Sequence, residues 1–235
     1  MDLKDHLRDL VIANRILAHE GVVDAFGHVS IRHPERPDRF FLAAGRSPEL
    51  VVADDIMEYD LDCVSISPAH DMYVERPIHG AIYQSRPDVH SVIHNHAHEV
   101  IPYSISKTTK LRPVFITAAS IGKDIPVWDN RDKFRGSSML VTTMEQGHDL
   151  ARTLGQSTVT LMRGHGCAVT GKSIYDAVQT AVLLKDNAKL LSEGLRLGEV
   201  IYLADDEIEA MSHRPPGPKS RAWQYWAARC GAALL

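Results

Sequence analysis

The chain has 235 residues, of which 44% are hydrophobic and 24% charged, a balance typical of a globular protein with one substantial core. Its formal net charge is −4 with acids and bases interspersed, so we expect no nucleic-acid or membrane partner. The scattered Cys63, Cys167 and Cys230 give neither a disulfide framework nor a zinc-finger spacing. Charges from Asp2 onward are untypical of a secretory signal, and no apolar run approaches the ~20 residues of a membrane span. A cytoplasmic location is therefore expected.

Helix and strand patterns alternate irregularly in the first half of the chain. Apolar residues recur at helical spacing from Asp2 to about Glu20, and Gly21 closes this first predicted helix. A second helix is predicted over Pro77–Ser85, because proline is tolerated in a first helical turn. Short apolar or β-branched runs predict strands at His28–Arg32, Arg39–Ala43, Ile56–Leu61 and Ser91–His94, with a turn at Gly45–Pro48 and a helical turn at Asp54–Asp55.

The second half continues the same mixture. Strands are predicted at Val114–Thr117, Ser157–Met162 and Cys167–Thr170, and helices at Thr143–Leu154, Ser173–Leu197 and Asp205–Met211. A linker rich in proline, His213–Pro218, precedes a last predicted helix at Lys219–Cys230. The sequence has no internal repeats. We therefore interpret residues 1–235 as a single α/β domain with helices on both faces of one sheet.

A pair of histidines stands at the end of one predicted strand. His94 and His96 follow an apolar run, and residues two apart in a strand point to the same face. Both imidazoles can therefore converge on one divalent ion. His98 continues the series, but it follows the predicted end of the strand and ranks below the pair. The alternative interpretation is that one of these histidines is an ordinary core or surface residue.

Two further residues complete a candidate ligand set. His165 lies between two glycines, which allow the backbone to turn sharply and present the ring. The alternative is a plain turn between two strands. Glu75 lies just before a predicted helix, where a carboxylate can ligate a metal or act as an acid or base. The alternative is an exposed carboxylate that the helix dipole stabilises. Three imidazoles and one carboxylate suit Zn²⁺, Mn²⁺ or a similar ion.

Several motifs in a fixed order resemble those of a known family. In chain order they are Glu75, His79, Arg86-Pro-Asp88, Val92–His96 and Arg163–Gly166. This order is similar to that of the class II aldolase/adducin family, and the resemblance runs from Asn14 through the long helix after Ser173. It implies a three-layer α/β/α sandwich with a central mixed, largely antiparallel sheet, and a homotetramer. It also implies a divalent metal on His94, His96 and His165, with Glu75 as acid/base and as a ligand when substrate is absent.

The chain departs from the family where family aldolases bind a substrate phosphate. Those aldolases use a Gly-Asn pair, a Thr-Gly pair and two serines, whereas this chain has Gly27-His28, Ala44-Gly45 and Tyr73-Val74 at the corresponding positions. The hydroxyl donors are lost, so a phosphorylated sugar is not expected. In exchange, four side chains are expected to bind a carboxylate, Arg46 in bidentate fashion: His28, Ser30, Arg46 and Ser47. The alternative for Arg46 is a solvated turn residue.

Within the family, the sequence looks closest to a decarboxylase branch that acts on hydroxy-aromatic carboxylates. The segments that carry this likeness are Gly27–Ser30, Gly45–Glu49 and Arg221–Trp226. The resemblance implies Mn²⁺, with Zn²⁺ or Co²⁺ as alternatives. The most specific expected substrate is 3-hydroxy-2-methylpyridine-4,5-dicarboxylate, from vitamin B6 degradation, and the rival is a hydroxyphthalate. Residues 213–235 are expected to cover the active site, with Tyr225 over the aromatic ring. The alternative is that Trp223 and Trp226 form the apolar stripe of a docked helix.

Cleavage of a carbon–carbon bond next to a carboxylate places negative charge on carbon, which a metal ion can stabilise as a Lewis acid. Glu75 is the expected proton donor, on the assumption that a partly dry pocket raises the pKa of its carboxyl group. Two alternatives remain open: a metal-dependent aldolase for a non-phosphorylated substrate, and a non-catalytic adducin-like interaction module. A sugar-phosphate isomerase or epimerase is disfavoured by the missing phosphate ligands.

Overall fold

A computed structural model describes residues 2–68, 70–211 and 220–232, and its centre is one seven-stranded sheet. The strands in chain order are β1 (His28–Arg32), β2 (Arg39–Ala43), β3 (Ile56–Asp60), β4 (Ser91–Asn95), β5 (Val127–Trp128), β6 (Val159–Met162) and β7 (Gly166–Gly171). Their spatial order is β3-β2-β1-β4-β7-β6-β5. Only β5 and β6 pair in parallel, and the other neighbouring pairs are antiparallel. The predicted mixed, largely antiparallel sheet is confirmed.

Helices cover both faces of this sheet. In chain order they are α1 (Leu3–His19), α2 (Pro77–Ser85), α3 (Ile101–Ile105), α4 (Met144–Leu154), α5 (Ile174–Leu197), α6 (Asp205–Met211) and α7 (Arg221–Arg229). Asp2, Thr143 and Ser173 cap α1, α4 and α5, because each side chain accepts a hydrogen bond from a backbone N–H of the first turn. None of the described helices is long and apolar enough to cross a membrane.

Alternation along the strands divides the interior into two cores. On β4, Ile93 packs in one core with α1 and α5, whereas its neighbour Val92 packs in the other with α2 and α4. The predicted three-layer α/β/α sandwich is therefore confirmed. The second core matters most for function, because α2 covers the face from which His28 and His94 project.

One predicted strand is wrong. Val114–Thr117 does not pair with the sheet, and a 3-10 helix begins at Ile116. Its backbone groups are bonded elsewhere: the Val114 N–H donates to Asn187 on α5, whose amide in turn donates to the Arg112 carbonyl. An apolar, β-branched run cannot reveal that a side chain from a distant helix will take up its hydrogen bonds.

The C-terminal segment is described in part. The predicted linker His213–Pro218 and Lys219 lie outside the described residues. The last helix begins at Arg221, with Ser220 as its N-cap. Its Trp223 ring meets the Tyr175 ring of α5 edge-on, and α7 packs against α1 and α5.

Candidate metal centre

The end of β4 places two imidazoles side by side. His94 and His96 flank Asn95 at the strand end, and their Nε2 atoms lie 2.9 Å apart. The His94 ring is fully buried, and its Nδ1 lies 3.1 Å from the Cys167 carbonyl oxygen on β7. A carbonyl can only accept a hydrogen bond, so Nδ1 carries the proton and Nε2 is free to ligate.

The turn between β6 and β7 brings the third imidazole to this pair. Gly164 adopts a φ of 63° in this turn, a conformation that favours glycine. A Cβ at Gly166 would lie 2.1 Å from the Asn95 carbonyl oxygen, so only glycine allows the two strand ends to approach this closely. As a result, the His165 Nε2 lies 3.1 Å from the His96 Nε2.

Glu75, from the segment before α2, is the fourth residue beside the three histidines. Its Oε2 lies 3.4 Å from both His94 Nε2 and His165 Nε2, and its Oε1 accepts a hydrogen bond of 2.8 Å from the Val141 N–H. The side chain is buried, with 7% of its surface exposed. The structure thus brings together all four residues predicted as metal ligands, with ligand atoms within 4.8 Å of one another.

This spacing fits a divalent cation. Ligand bonds of ~2.1 Å place neighbouring donor atoms about 3.0 Å apart at right angles and about 3.4 Å apart at tetrahedral angles. The separations of 2.9, 3.1 and 3.4 Å among the four groups fall in this range. Three neutral imidazoles and one carboxylate are also suitable donors for Mn²⁺, Zn²⁺ or Co²⁺.

Burial keeps the neighbouring histidines neutral. It lowers the pKa of His96 to about 4, with a further contribution from His94 and His165. It lowers the pKa of His79 to about 3 and, together with the nearby imidazoles, holds the pKa of His28 well below its ordinary value. Neutral imidazoles are the form that ligates metal ions.

The pKa of Glu75 moves opposite to the expected direction. Burial favours the protonated acid, as predicted, but the hydrogen bonds with His165 and then His94 outweigh burial. They hold the pKa of the carboxyl group well below its ordinary value. The expectation of a raised pKa was wrong because a carboxylate beside two imidazoles is stabilised in its charged form.

The residues predicted to bind a carboxylate occupy different environments. His28 lies beside the cluster, with its ring centroid 5.2 Å from that of His94. Ser30 does not line the site, because it is fully buried and its hydroxyl lies 2.7 Å from both His79 Nδ1 and the Tyr83 hydroxyl. We therefore correct the expectation that Ser30 contacts substrate directly.

Arg46 and Ser47 lie on the turn after β2. The Arg46 Nη1 donates to both carboxylate oxygens of Asp55 at 3.1 Å, and its guanidinium is nearly half exposed. The Ser47 side chain makes no capping hydrogen bond to the 3-10 helix that follows it. The Tyr73 hydroxyl donates to the Arg46 carbonyl, and the Tyr73 ring lies 4.6 Å from the His28 ring. Tyr73 thus links this turn to the histidine cluster.

Tyr225 lies on α7 with 58% of its surface exposed. The guanidinium of Arg229 lies 5.3 Å from its ring centroid. Within the described part of the chain, no contact joins Tyr225 to the four-residue cluster.

Three residues that contact His28 or its neighbour Ser30 were not predicted as site residues: Tyr73, His79 and Tyr83. A signal for two of them was available. His28 and Ser30 alternate on β1, while His79 and Tyr83 lie four residues apart on α2, so each pair shares one face. Polar residues with matching periodicity on a strand and a helix indicate a buried polar contact.

A model of the family described as Class II Aldolase and Adducin N-terminal domain matches residues 8–192. Among curated proteins, decarboxylase tropJ of Talaromyces stipitatus is 31% identical, and the match covers 94% of this chain and 92% of that protein. A 3,4-dihydroxyphthalate decarboxylase of Arthrobacter keyseri is 26% identical, over 95% of this chain and 93% of that protein.

Solved structures show the same fold. An aldolase II superfamily protein from Pseudomonas syringae superposes with a TM-score of 0.80 at 20% identity, over 98% of this chain and 94% of that one. An L-fuculose 1-phosphate aldolase superposes with a TM-score of 0.76 at 19% identity, over 90% of this chain and 96% of that one. Relatives named as decarboxylases and aldolases are carbon–carbon lyases, which confirms the predicted class of enzyme.

Removal of one imidazole tests the cluster as a metal site. We expect His96→Ala to have an affinity for Mn²⁺ that is reduced by more than about 100-fold. Loss of a residue that only hydrogen-bonds to a metal ligand already lowers metal affinity about 10- to 100-fold, and loss of the ligand itself should lower it further. Metal content after dialysis and titration calorimetry measure this. The exposed His98 provides a matched control, and His98→Ala should bind as the wild type does. Equal metal binding by His96→Ala would exclude this ligand set.

The buried neutral histidines predict a dependence of stability on pH. His28, His79 and His96 take up protons below about pH 6.5 only in the unfolded chain, because their pKa values are lowered in the folded protein. In chelator, the free energy of unfolding should therefore be highest above pH 7. Each of the three histidines should contribute a loss of about 2 kcal/mol between pH 7 and pH 5, about 5 kcal/mol in all. Urea unfolding at several pH values measures this, and a flat profile would contradict it.

Proposed function

The chain belongs to the class II aldolase and adducin family, and we propose that it is a divalent-metal-dependent decarboxylase of hydroxy-aromatic carboxylates. The observation that carries this proposal is the convergence of Glu75, His94, His96 and His165 on one point. Relatives named as decarboxylases, matched over more than nine-tenths of the chain, support decarboxylation as the reaction.

The proposal also concerns the ring system of the substrate. Two curated relatives named for a substrate, from Arthrobacter keyseri and Terrabacter, are 3,4-dihydroxyphthalate decarboxylases. They favour a hydroxyphthalate over the hydroxypyridine dicarboxylate expected from the sequence. Both compounds carry a hydroxyl group ortho to the carboxylate that leaves, so the same arrangement of side chains would serve either.

A divalent cation held by His94, His96 and His165, with Glu75 as a further ligand when substrate is absent, would act as a Lewis acid that draws negative charge from the ring carbon onto oxygen. The ring carbon that loses CO₂ must gain a proton, for which Glu75 Oε2 is the candidate donor. The Val141 N–H fixes the other oxygen of this carboxylate, which holds Oε2 towards the cluster. For this role Glu75 has to leave the cation and take up a proton when substrate binds, because the neighbouring imidazoles otherwise hold the pKa of its carboxyl group low.

A second carboxylate on the substrate needs a cation and hydrogen-bond donors. Arg46 and Ser47 supply them from the turn after β2, on the side where Tyr73 contacts His28. Asp55 orients the Arg46 guanidinium without burying it. The Tyr73 hydroxyl is already bonded to the Arg46 carbonyl, so this residue presents an aromatic face where family aldolases present serines. This favours a planar ring over a phosphate group.

The assembly remains a prediction from the family resemblance. In a homotetramer, Tyr225 of one subunit, which is exposed here, would cover the aromatic ring of a substrate in a neighbouring site. The single-domain organisation, the covering role of residues 213–235 and a cytoplasmic location are further parts of this proposal. Mn²⁺ is the proposed cation, with Zn²⁺ or Co²⁺ as alternatives.

The second candidate is an aldolase for a non-phosphorylated substrate, because the fold is shared with L-fuculose 1-phosphate aldolase. A non-catalytic adducin-like module is disfavoured, since an interaction domain has no need of convergent buried ligands. The two enzyme activities differ in their products: CO₂ for the decarboxylase, and an aldehyde for the aldolase.

We expect Mn²⁺-loaded protein to release CO₂ from 3,4-dihydroxyphthalate and to form 3,4-dihydroxybenzoate, because the carboxylate ortho to a hydroxyl leaves. Chelation of the metal should abolish CO₂ release. Parallel assays with 3-hydroxy-2-methylpyridine-4,5-dicarboxylate and with other hydroxyphthalates identify which ring system the enzyme accepts. Gas detection and chromatography of the products measure both quantities. Metal-loaded protein that releases no CO₂ from any of them would overturn the proposal, and aldehyde from a non-phosphorylated hydroxy acid would establish the aldolase instead.

Substitution of the candidate acid separates metal binding from proton transfer. Glu75→Gln keeps a carbonyl oxygen as ligand but cannot donate a carboxylic proton, so kcat should fall about 100-fold or more while most of the metal is retained. Kinetics and metal analysis of the same preparation measure the two effects. The exposed Glu145 gives a control, Glu145→Gln, with kinetics as in the wild type. Unchanged turnover in Glu75→Gln would remove its role as acid.

A further inference from the structure

A chain of hydrogen bonds runs from the core to the candidate metal centre. It joins Tyr83, Ser30, His79 and His28, and we infer that this relay fixes His28 as an Nε2–H hydrogen-bond donor towards a substrate oxygen. His79 is then a positioning residue, and His28 is the group that touches the substrate. The inference rests on the proposed function for the identity of the substrate, but the proton arrangement can be tested without it.

The relay is short and continuous, and its three inner members are shielded from water. The Tyr83 hydroxyl lies 2.7 Å from Ser30 Oγ, which lies 2.7 Å from His79 Nδ1, and His79 Nε2 lies 2.6 Å from His28 Nδ1. Ser30 and His79 are fully buried, and Tyr83 is nearly so. The Arg32 guanidinium covers the Tyr83 ring at 4.7 Å and donates to the Tyr83 carbonyl, which fixes the inner end of the relay.

Tyr83 sets the direction of every hydrogen in the relay. A buried phenol must donate its O–H, and Ser30 Oγ is the acceptor that the described residues provide. The Ser30 hydrogen then has to point to His79 Nδ1, since its oxygen already accepts from Tyr83. A neutral His79 that accepts at Nδ1 carries its proton on Nε2 and donates it to His28 Nδ1.

The outer end of the relay opens to the site. A neutral His28 that accepts at Nδ1 carries its proton on Nε2. This Nε2 makes no hydrogen bond within the described residues, and it is not fully buried. The exposed 4% of His28 therefore leaves this edge of the ring accessible. The centroid of the His28 ring lies 5.2 Å from that of His94 in the cluster and 4.6 Å from that of Tyr73 beside the proposed carboxylate site.

A fixed N–H donor at this position has a direct chemical use. Decarboxylation of an ortho-hydroxy aromatic acid places negative charge on the ring oxygen, while a second carboxylate on the ring keeps its own charge throughout. A preorganised donor aimed at such an oxygen stabilises that charge without reorganisation during the reaction. In the opposite tautomer, His28 would present a lone pair to the same oxygen and repel it. The relay therefore selects substrates with an anionic oxygen next to the reacting carbon.

Neutron diffraction from perdeuterated, Zn²⁺-loaded crystals tests the proton arrangement directly. We expect deuterium on Nε2 of both His28 and His79, and a Ser30 hydroxyl deuterium that points to His79. Tyr83→Phe removes the starting donor, so the deuterium on His28 should divide between Nδ1 and Nε2. Tyr59→Phe is a matched control, because Tyr59 is also a buried phenol but donates to Met57 outside the relay. Deuterium on His28 Nδ1 in the wild type would overturn the inference.

Kinetics with 3,4-dihydroxyphthalate test the positioning role of His79. His79→Leu removes the N–H that orients His28 and should lower kcat/KM by about 10- to 100-fold. His79→Gln places an amide N–H near the same point and should restore kcat/KM to within a few-fold of the wild type. Equal losses in both variants, with melting temperatures and metal content unchanged, would show that donation to His28 is unimportant. If no variant and no wild-type protein turns the substrate over, the proposed function fails while the neutron result still decides the relay.

Discussion

The close approach of Asn95 and Gly166 is the contact on which the rest of the site depends. The antiparallel pairing of β4 with β7 ends at this point, and a side chain at position 166 would collide with the Asn95 carbonyl. Because the two strand ends can meet, His96 and His165 reach each other although they are 69 positions apart in the chain. Glu75 then approaches from the segment before α2 and completes a ring of four donors.

Burial of polar groups links this cluster to the second core. His28 and Ser30 project from β1 towards α2, at positions where a core normally has apolar residues. The side chains of His79 and Tyr83 on α2 are their hydrogen-bond partners. Buried polar groups are tolerated when every member finds a partner, and such networks hold their members in one arrangement. The same burial keeps the imidazoles neutral, so they can ligate a cation or donate from one fixed nitrogen. Stability and function thus depend on the same desolvated environment.

Local patterns were sufficient for much of the fold and for the ligand set. The helices predicted to begin at Thr143 and Ser173 and the alternation at the end of β4 rest on local signals, and the structure has these elements where they were predicted. Val114–Thr117 could not be assigned correctly, because its hydrogen bonds go to Asn187, which is 73 positions away. The two-residue β5 is too short to show any period.

The substrate side of the site was harder to predict for the same reason. Ser30 lies on the correct face of β1, but only the tertiary structure shows that α2 covers it. The direction of the pKa shift of Glu75 depends on His94 and His165, whose distance from it no sequence pattern gives. Long-range geometry therefore decides which polar residues touch substrate and which support those that do.

Anomalous X-ray diffraction at the manganese edge tests the central claim most directly. Crystals grown with Mn²⁺ should give one strong anomalous peak, with the Nε2 atoms of His94, His96 and His165 at about 2.0–2.3 Å from it. Glu75 should lie within reach of the same peak in the absence of substrate. If crystals show no anomalous peak at these residues, or show manganese only elsewhere on the chain, the account of a metal-dependent lyase is contradicted.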